Sequence, residues 1–256
     1  MTNSKTGSFS VDYMEVSARH EKLGYDVTLF VPSKAAHRPA VRCFVNGKYY
    51  ENISHLTYKA ILDYKGNGNV VHAGTFFGDM LHTFSKSANM VFAFEPVLDN
   101  YILAKKNAQN LMLENVILHN AGLGEVNSIL KVFTGVQNGV FAGGGSTFAH
   151  KSQANGIFES APVFRLDDLP ISDVVLIELD VEGFELFALR GAKAMIERDK
   201  PIILVEDNKK NCADFLSEMG YSFVFSTDFL SYWGSAGDLE FLQSLSKLYD
   251  ENRDID

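Results

Sequence analysis

Residues 174–192, VVLIELDVEGFELFALRGA, limit the fold more than any other part of the chain. They open with Val174, Val175, Leu176 and Ile177, a solid apolar run of the kind a strand buried on both faces requires. Three acids follow within five residues: Glu178, Asp180 and Glu182. After Gly183, the residues Leu186, Leu189 and Ala192 fall on one helical stripe. Acids at the carboxyl end of a buried strand stand where open α/β sheets place their ligands. The alternative is that they are solvated loop acids capping the next helix, and the upstream sequence decides between the two.

With 256 residues, 46% of them hydrophobic, the chain can build one large domain, or one domain with an appendage. No run approaches the roughly 18 apolar residues of a membrane helix. The polar start, MTNSKTGSFSVDY, has no hydrophobic signal core. Cys43 and Cys212 are too few and too far apart to suggest a disulfide framework or a zinc site. A cytoplasmic protein is the expectation. The formal charge of -9, without a face dense in Lys and Arg, argues against a nucleic-acid partner.

From residue 69 onward, strand and helix patterns alternate. Strands are predicted at 70–71, 90–94, 116–119, 174–179 and 201–205, with helices at about 77–87, 99–113 and 185–197. That order implies an α/β fold whose central sheet is mostly parallel, with helices on both faces. A closing strand (221–226) and an amphipathic helix (239–249) complete residues 67–256. Residues 1–66 read as an N-terminal appendage with too little apolar material for a core of its own. In it, strands at 25–31 and 41–50 are expected, the second carrying an Asn46-Gly47 hairpin signal, followed by a short helix at 55–64. The Gly-, Asn- and Ser-rich stretch 135–160 breaks the rhythm. Its Phe141, Phe148 and Phe158 favour a lid-like loop, inserted as a long hairpin excursion between strands at 129–133 and 161–166.

The turn VVHAGTFFGD puts Gly74 and Gly78 between the first core strand and its helix, where glycine permits close backbone approach to a ligand. Glu95 ends the second strand, 21 residues after Gly74. An acid about 20 residues past the glycine turn is where Rossmann-like folds hold a ribose diol. Both NAD and S-adenosylmethionine (SAM) satisfy that spacing, although the third glycine of the dinucleotide fingerprint is missing.

The succession VVHAGTFFGD, VFAFEPVLDNYILAKKNAQNL, VILHNAGLGE, LIELDVEGFELFALRGA and PIILVED resembles the FkbM-type SAM-dependent methyltransferases over residues 69–208. LDVEGFELFALRG is close to that family's D-V-E-G-x-E-x-x-x-L-x-G. The resemblance implies a Rossmann-like class I methyltransferase fold with SAM as cofactor. It places Gly74, Thr75 and Gly78 around the methionyl part, with His72 and Asp79 in the same turn. Glu95, followed by Pro96, becomes the ribose ligand. His119, Asn120, Ala121 and Gly122 form the turn beside the adenine, and Asp180 faces the sulfonium and the acceptor. Two positions depart from the family pattern: His72 stands where an Asp is usual, and Glu178 where a Lys is common. Loss of the Asp removes a polar anchor near the cofactor amine, which either reduces affinity or reroutes the contact through Asp79 or Glu178.

Methyl transfer to a neutral hydroxyl needs alignment and a base. The candidate bases are Asp180, His119 and His150, with Glu182 as an acid contacting the acceptor. Asp180, Asp207 and Asn208, at the ends of neighbouring strands, could also hold Mg²⁺, resembling the triad of catechol-type O-methyltransferases. The alternative is that Asp207 and Asn208 only cap the following loop. The expected function is SAM-dependent O-methylation of a hydroxyl on a sugar, glycan or glycoside. A non-sugar natural-product hydroxyl is the runner-up, and a non-catalytic SAM-fold scaffold is the rival of a different class. The expected partner is a small-molecule or glycan acceptor, and a homodimer is compatible with the sequence.

Overall fold

The computed structural model describes residues 11–66, 68–136, 141–148, 156–207, 209–227 and 230–252. A hairpin comes first, β1 (Tyr13–His20) against β2 (Tyr25–Pro32), and then the helices α1 (Pro39–Val45) and α2 (Asn52–Lys65). The alternating part runs β3 (Asn69–Ala73), α3 (Leu81–Ser87), β4 (Val91–Phe94), α4 (Leu98–Asn110) and β5 (Val116–His119). Next come β6 (Gly122–Leu123), β7 (Ser128–Val136), β8 (Gly156–Phe164) and β9 (Val174–Leu179). The chain closes with α5 (Glu185–Gly191), α6 (Lys193–Asp199), β10 (Ile202–Val205), α7 (Ala213–Glu218), β11 (Ser222–Ser226), β12 (Ser231–Gly234) and α8 (Leu239–Asn252).

Seven strands form the central sheet in the order β11-β12-β10-β9-β3-β4-β5. The contacts from β10 to β5 are parallel, and β12 and β11 add an antiparallel edge. The order turns back between β3 and β9, so the crevice beyond their carboxyl ends is the switch point of the sheet. Period-two alternation divides the core. Val71, Ile177 and Ile203 point to the face covered by α5, α6 and α7, where Leu189, Ile196 and Leu216 are buried. Val70, Leu176 and Ile202 point to the opposite face, against Ile61 and Phe84 from α2 and α3 and Leu242 from α8.

The described part of the 135–160 stretch does lie within a hairpin excursion: β7 and β8 pair antiparallel, and β6 joins β8. Residues 141–148 fold back along β7, with the Thr147 amide donating to the Phe133 carbonyl at 3.3 Å and the Phe133 amide to Thr147 at 2.8 Å.

Three expectations need correction. Residues 41–50 are not a strand, because α1 occupies 39–45, with Pro39 in its first turn. Asn46-Gly47 caps that helix instead: Gly47, at φ +75°, donates its amide to the Phe44 carbonyl. A left-handed glycine serves a helix end as readily as a hairpin turn, and the dipeptide alone does not distinguish them. The second hairpin strand is instead β1, which precedes β2. The helix predicted at 185–197 breaks at Ala192 (φ -105°, ψ 9°), next to Gly191, where a Cβ would meet the Gly124 carbonyl oxygen at 2.0 Å. The strand β12 and the helix α7 fall where no element was predicted.

The N-terminal hairpin shares a core with the rest of the molecule: Leu29, Val31, Val41 and Phe44 pack with Phe77 and Leu103. Asn107 of α4 fastens this seam. Its Oδ1 accepts the Phe30 amide at 2.7 Å, and its Nδ2 donates to the carbonyls of Phe30 (3.0 Å) and Phe77 (2.7 Å). Because the side chain is buried, Asn107→Ala leaves these backbone groups unpaired. The expected cost is about 2–3 kcal/mol, read as a lower urea midpoint at unchanged m-value.

Candidate functional site

Strand β3 enters the switch point through His72, Ala73, Gly74 and Thr75. The Asp180 amide donates to the Ala73 carbonyl at 3.0 Å, and the Glu206 amide to Leu179 at 2.9 Å, so the parallel ladder extends to the mouth of the crevice. At Gly74 the backbone has φ +95°, and a Cβ there would stand 1.8 Å from the Asp180 carbonyl oxygen. Only glycine allows β3 and β9 to approach this closely at their ends. Thr75 is fully buried, its hydroxyl on the Phe94 carbonyl at 3.1 Å. Gly78 closes the turn onto the Thr75 carbonyl at φ +87°. Phe76 also has positive φ (+50°), a conformation in which a bulky residue is strained.

Glu95, at the end of β4, compensates part of that strain. Its Oε2 accepts the Phe76 amide and its Oε1 the Val97 amide, both at 2.8 Å, and Asn100 Nδ2 donates to Oε1 at 3.4 Å. Burial pushes the Glu95 carboxyl up to about 7, although these donors pull the other way. Asn120 fixes the neighbouring turn by donating to the carbonyls of Glu95 and Pro96 at 3.0 and 3.1 Å. Ala121 is buried, and Gly122 leaves room for the Phe148 ring, which lies 2.5 Å from where a Cβ would be.

Two cavities meet at Gly74 and Asp180. One, of about 220 Å³, is bounded by Arg38, Tyr50, Glu51, Tyr58 and Phe76 on its outer side. Its polar floor comprises His72, Asp79, Glu178, Asp180, Glu182 and Glu206. The other, of about 30 Å³, lies between Glu95, Pro96 and Gly122 below and Gly143, Gly144 and Phe148 above. It has room for about one water. The covering segment is tied down by Asn100 Nδ2 to the Gly143 carbonyl (3.3 Å) and by the Thr147 hydroxyl to the Glu182 carbonyl (2.9 Å).

The acids of the larger cavity are under electrostatic stress. Burial, then a hydrogen bond and charge repulsion from Glu206, hold Asp180 well above the usual carboxylate range. Burial raises Asp79 to about 6 and Glu51 to about 8. Glu182 is also raised, first by burial and then by Glu206. Asp180 Oδ1 is buried with no hydrogen-bond partner. The two departures from the family pattern turn out to be one pair. His72 and Glu178 are register partners on β3 and β9, and His72 Nδ1 hydrogen-bonds Glu178 Oε2. His72 Nε2 is buried and unpartnered.

Other expected residues lie elsewhere. His119 lines neither cavity, because its ring stacks on Phe94 with centroids 4.8 Å apart. Asp207 does not turn toward Asp180: its two oxygens accept the amides of Asn211 and Cys212, both at 3.0 Å, capping the following loop. Asn208 and His150 lie outside the described residues. Among the described residues no three His, Cys, Asp or Glu side chains are grouped to hold a metal ion, which gives the expected Mg²⁺ no support. Glu206, one residue earlier, is the acid that joins Asp180. Arg38, Tyr50, Glu51 and Tyr58 were missed, since nothing in their local sequence marks them as lining a site.

This sheet order, with a glycine turn at its switch point, defines a Rossmann-like methyltransferase fold. Residues 69–230 match the model of the methyltransferase FkbM domain, and the chain belongs to that family. Similar solved structures include the FkbM methyltransferase of Methylobacillus flagellatus KT, at 17% identity and TM-score 0.48, over 65% of this chain and 43% of that one. This chain thus matches less than half the length of the Methylobacillus protein. Another is a precorrin-6y C5,15-methyltransferase from Geobacter metallireducens GS-15, at 15% identity and TM-score 0.43, over 70% and 84% of the two chains. A Streptococcus mutans protein classed as a methyltransferase, in complex with SAH, gives 11% identity and TM-score 0.44, over 72% and 98%. No curated protein matches the chain in sequence. Among the described residues, no helix is long and apolar enough to cross a membrane.

Gly74 tests the geometry of the turn. Gly74→Ala forces a Cβ against the Asp180 carbonyl at an unfavourable φ, with an expected loss of about 2 kcal/mol or more, measured by chemical denaturation.

Proposed function

We propose that the chain transfers a methyl group from SAM to a hydroxyl of a sugar, glycan or glycoside, with Asp180 as the base. The observation that carries this is the junction at Asp180. A carboxylate with an unpartnered oxygen stands between a glycine turn suited to a cofactor and a separate acid-lined cavity suited to a polyol.

The residues present fit SAM. Glu95 offers a carboxylate at the end of β4 for a ribose diol, and Gly74 offers backbone without a side chain. Pro96, Asn120, Ala121 and Gly122 form the adenine side, and Asp79 takes over from His72 as the acid for the amine. Residues 143–148 close the smaller cavity in this structure, so this reading requires their displacement when the adenosine binds. When bound, SAM supplies an activated methyl group for in-line displacement.

The protein's own contribution is alignment and proton removal. Asp180 takes the proton of the acceptor hydroxyl at its unpartnered Oδ1, while Glu182 and Glu206 hold neighbouring hydroxyls. In the resting site Asp180 retains a proton, because burial and Glu206 raise its pKa. The active form is the carboxylate, so the methyl-transfer rate is expected to rise with pH over a range displaced above that of an ordinary carboxylate. Asp180→Asn should remove that rise and lower kcat by about 10²–10⁴-fold, while S-adenosylhomocysteine (SAH) still binds.

Two measurements test this reading. Labelled methyl transfer from SAM to a panel of sugars and glycosides should give base-stable ethers; label that leaves with mild base would mean ester formation instead. In calorimetric titration, Glu95→Gln should weaken SAH binding by about 1–3 kcal/mol. If the wild-type chain does not bind SAH at all, the catalytic assignment fails.

A further inference from the structure

We propose that the hydroxylated acceptor carries a protonated amine, and that the 220 Å³ cavity is built to hold this ammonium group beside the hydroxyl that is methylated. This rests on the O-methyl-transfer reading and specifies its substrate class.

The first argument is charge. Glu51, Asp79, Glu178, Asp180, Glu182 and Glu206 all line one small cavity. The proposed reading gives Asp79 to the cofactor's amine, and Arg38 and His72 are the basic residues of the lining. Arg38 lies at the rim, 3.9 Å from Glu182, and His72 is taken by Glu178. Glu51 has the Ser54 hydroxyl on Oε2 at 2.9 Å, a neutral donor. A neutral polyol could hydrogen-bond to these carboxyls but would leave their mutual repulsion in place. A cation removes it. A metal ion does not suit the geometry, since no three acids among the described residues are grouped to bind one.

The second argument concerns polar atoms left buried without a partner. His72 is 2% exposed and lines the cavity. Its Nδ1 is engaged by Glu178, and its Nε2 is buried without a partner. Asp180 Oδ1, also unpartnered, is an acceptor when ionised. Buried polar atoms without partners are costly, so both point to a polar ligand, and Asp180 Oδ1 to one that brings N–H or O–H donors. An ammonium group brings three donors and the charge together. Tyr50 and Tyr58 on the wall add aromatic faces that a cation can lie against. The volume is below the roughly 300–1,000 Å³ of drug-sized ligand sites, which suits a compact group such as one amino-sugar ring.

Proton linkage gives a signature. The titratable groups facing the cavity are Tyr50 and Glu51 ahead of α2, Tyr58 on α2, His72 on β3, Asp79 ahead of α3, Glu178 on β9, Asp180 and Glu182 after it, and Glu206 after β10, with Arg38 at the rim. Burial raises Glu51 to about 8, so near neutral pH it holds a proton in the free protein. A bound cation favours the carboxylate and expels that proton. A neutral ligand has no such effect.

The test uses the full chain saturated with SAH, so that the cofactor's own amine is already in place. D-Glucosamine, N-acetyl-D-glucosamine and D-glucose are titrated calorimetrically near neutral pH, in two buffers of different ionisation enthalpy. Glucosamine is expected to bind at least about ten-fold more tightly than either neutral sugar, with net proton release. Glu51→Gln keeps the shape and an acceptor for Ser54, so folding is not at risk. It should reduce glucosamine affinity by about ten-fold and remove part of the proton release, with SAH affinity as the control. The proposal is overturned by equal or better binding of the neutral sugars, by glucosamine binding without proton release, or by an absence of glucosamine binding to SAH-loaded protein. Methyl transfer to a neutral sugar in the same preparation would leave the O-methyl reading intact while removing the amine. Failure of SAH itself to bind would sink the parent reading instead.

Discussion

The contact on which the site depends is the approach of two backbones, where Gly74 meets the Asp180 carbonyl. In a doubly wound sheet, β3 and β9 send their following chains to opposite faces, and a crevice opens between them. Here the ladder continues to the edge of that crevice through the bond from the Asp180 amide to Ala73. Asp180 is therefore held by its main chain, while its side chain hydrogen-bonds Glu206 and leaves Oδ1 without a partner. Any side chain at position 74 would separate the strands and move Asp180 with them. The glycine turn and the acid loop, more than 100 residues apart in sequence, form one rigid joint.

Around that joint the protein buries acids, which is unfavourable unless each finds a counter-charge, a donor or a proton. The structure uses all three. Glu178 is matched by His72, its register partner. Glu95 is matched by the backbone amides of Phe76 and Val97. Asp180, Asp79 and Glu51 rely on retained protons, as their raised pKa values show. By linkage, an acid with a raised folded-state pKa stabilises the fold fully only below its unfolded value. For Glu51 that contribution fades as pH climbs from the ordinary carboxylate range, about 4.5, to about 8. The free protein thus loses stability near neutrality, a cost that the proposed cation would offset.

The sequence made the central sheet legible because its signals are local and strong. Val70–Val71, Val174–Ile177 and Ile202–Val205 are apolar runs too short for helices, each ending at a turn or an acid. Gly74, Glu95 and Asp180 stand out by position at strand ends. What escaped was non-local. His72 and Glu178 each looked like an isolated oddity, because register pairing across β3 and β9 cannot be read from either segment alone. Asp207 looked like a metal ligand by its place after β10, but backbone amides of its own loop reach it first. Asn46-Gly47 carries a φ requirement that two structures satisfy equally well, and Pro39, seven residues earlier, was the cue for the helix.

The larger cavity is divided between the part of the chain that matches the family and the part that precedes it. The family match begins at residue 69. Arg38, Pro39, Ala40, Tyr50, Glu51 and Tyr58, which form the outer wall, all precede it. The floor, from Gly74 to Glu206, lies inside the match. Methyl-transfer chemistry needs only the floor, whose geometry follows from the sheet. Acceptor choice depends on the wall, brought into place by the shared core of Leu29, Val31, Phe44 and Phe77 and by the Asn107 seam. Changing residues 38–58 on an unchanged sheet would alter the charge and size of the cavity without disturbing Gly74, Glu95 or Asp180. On the proposed reading, acceptor specificity would follow from how the N-terminal segment docks, with Glu51 as the acid that this segment adds to the cavity.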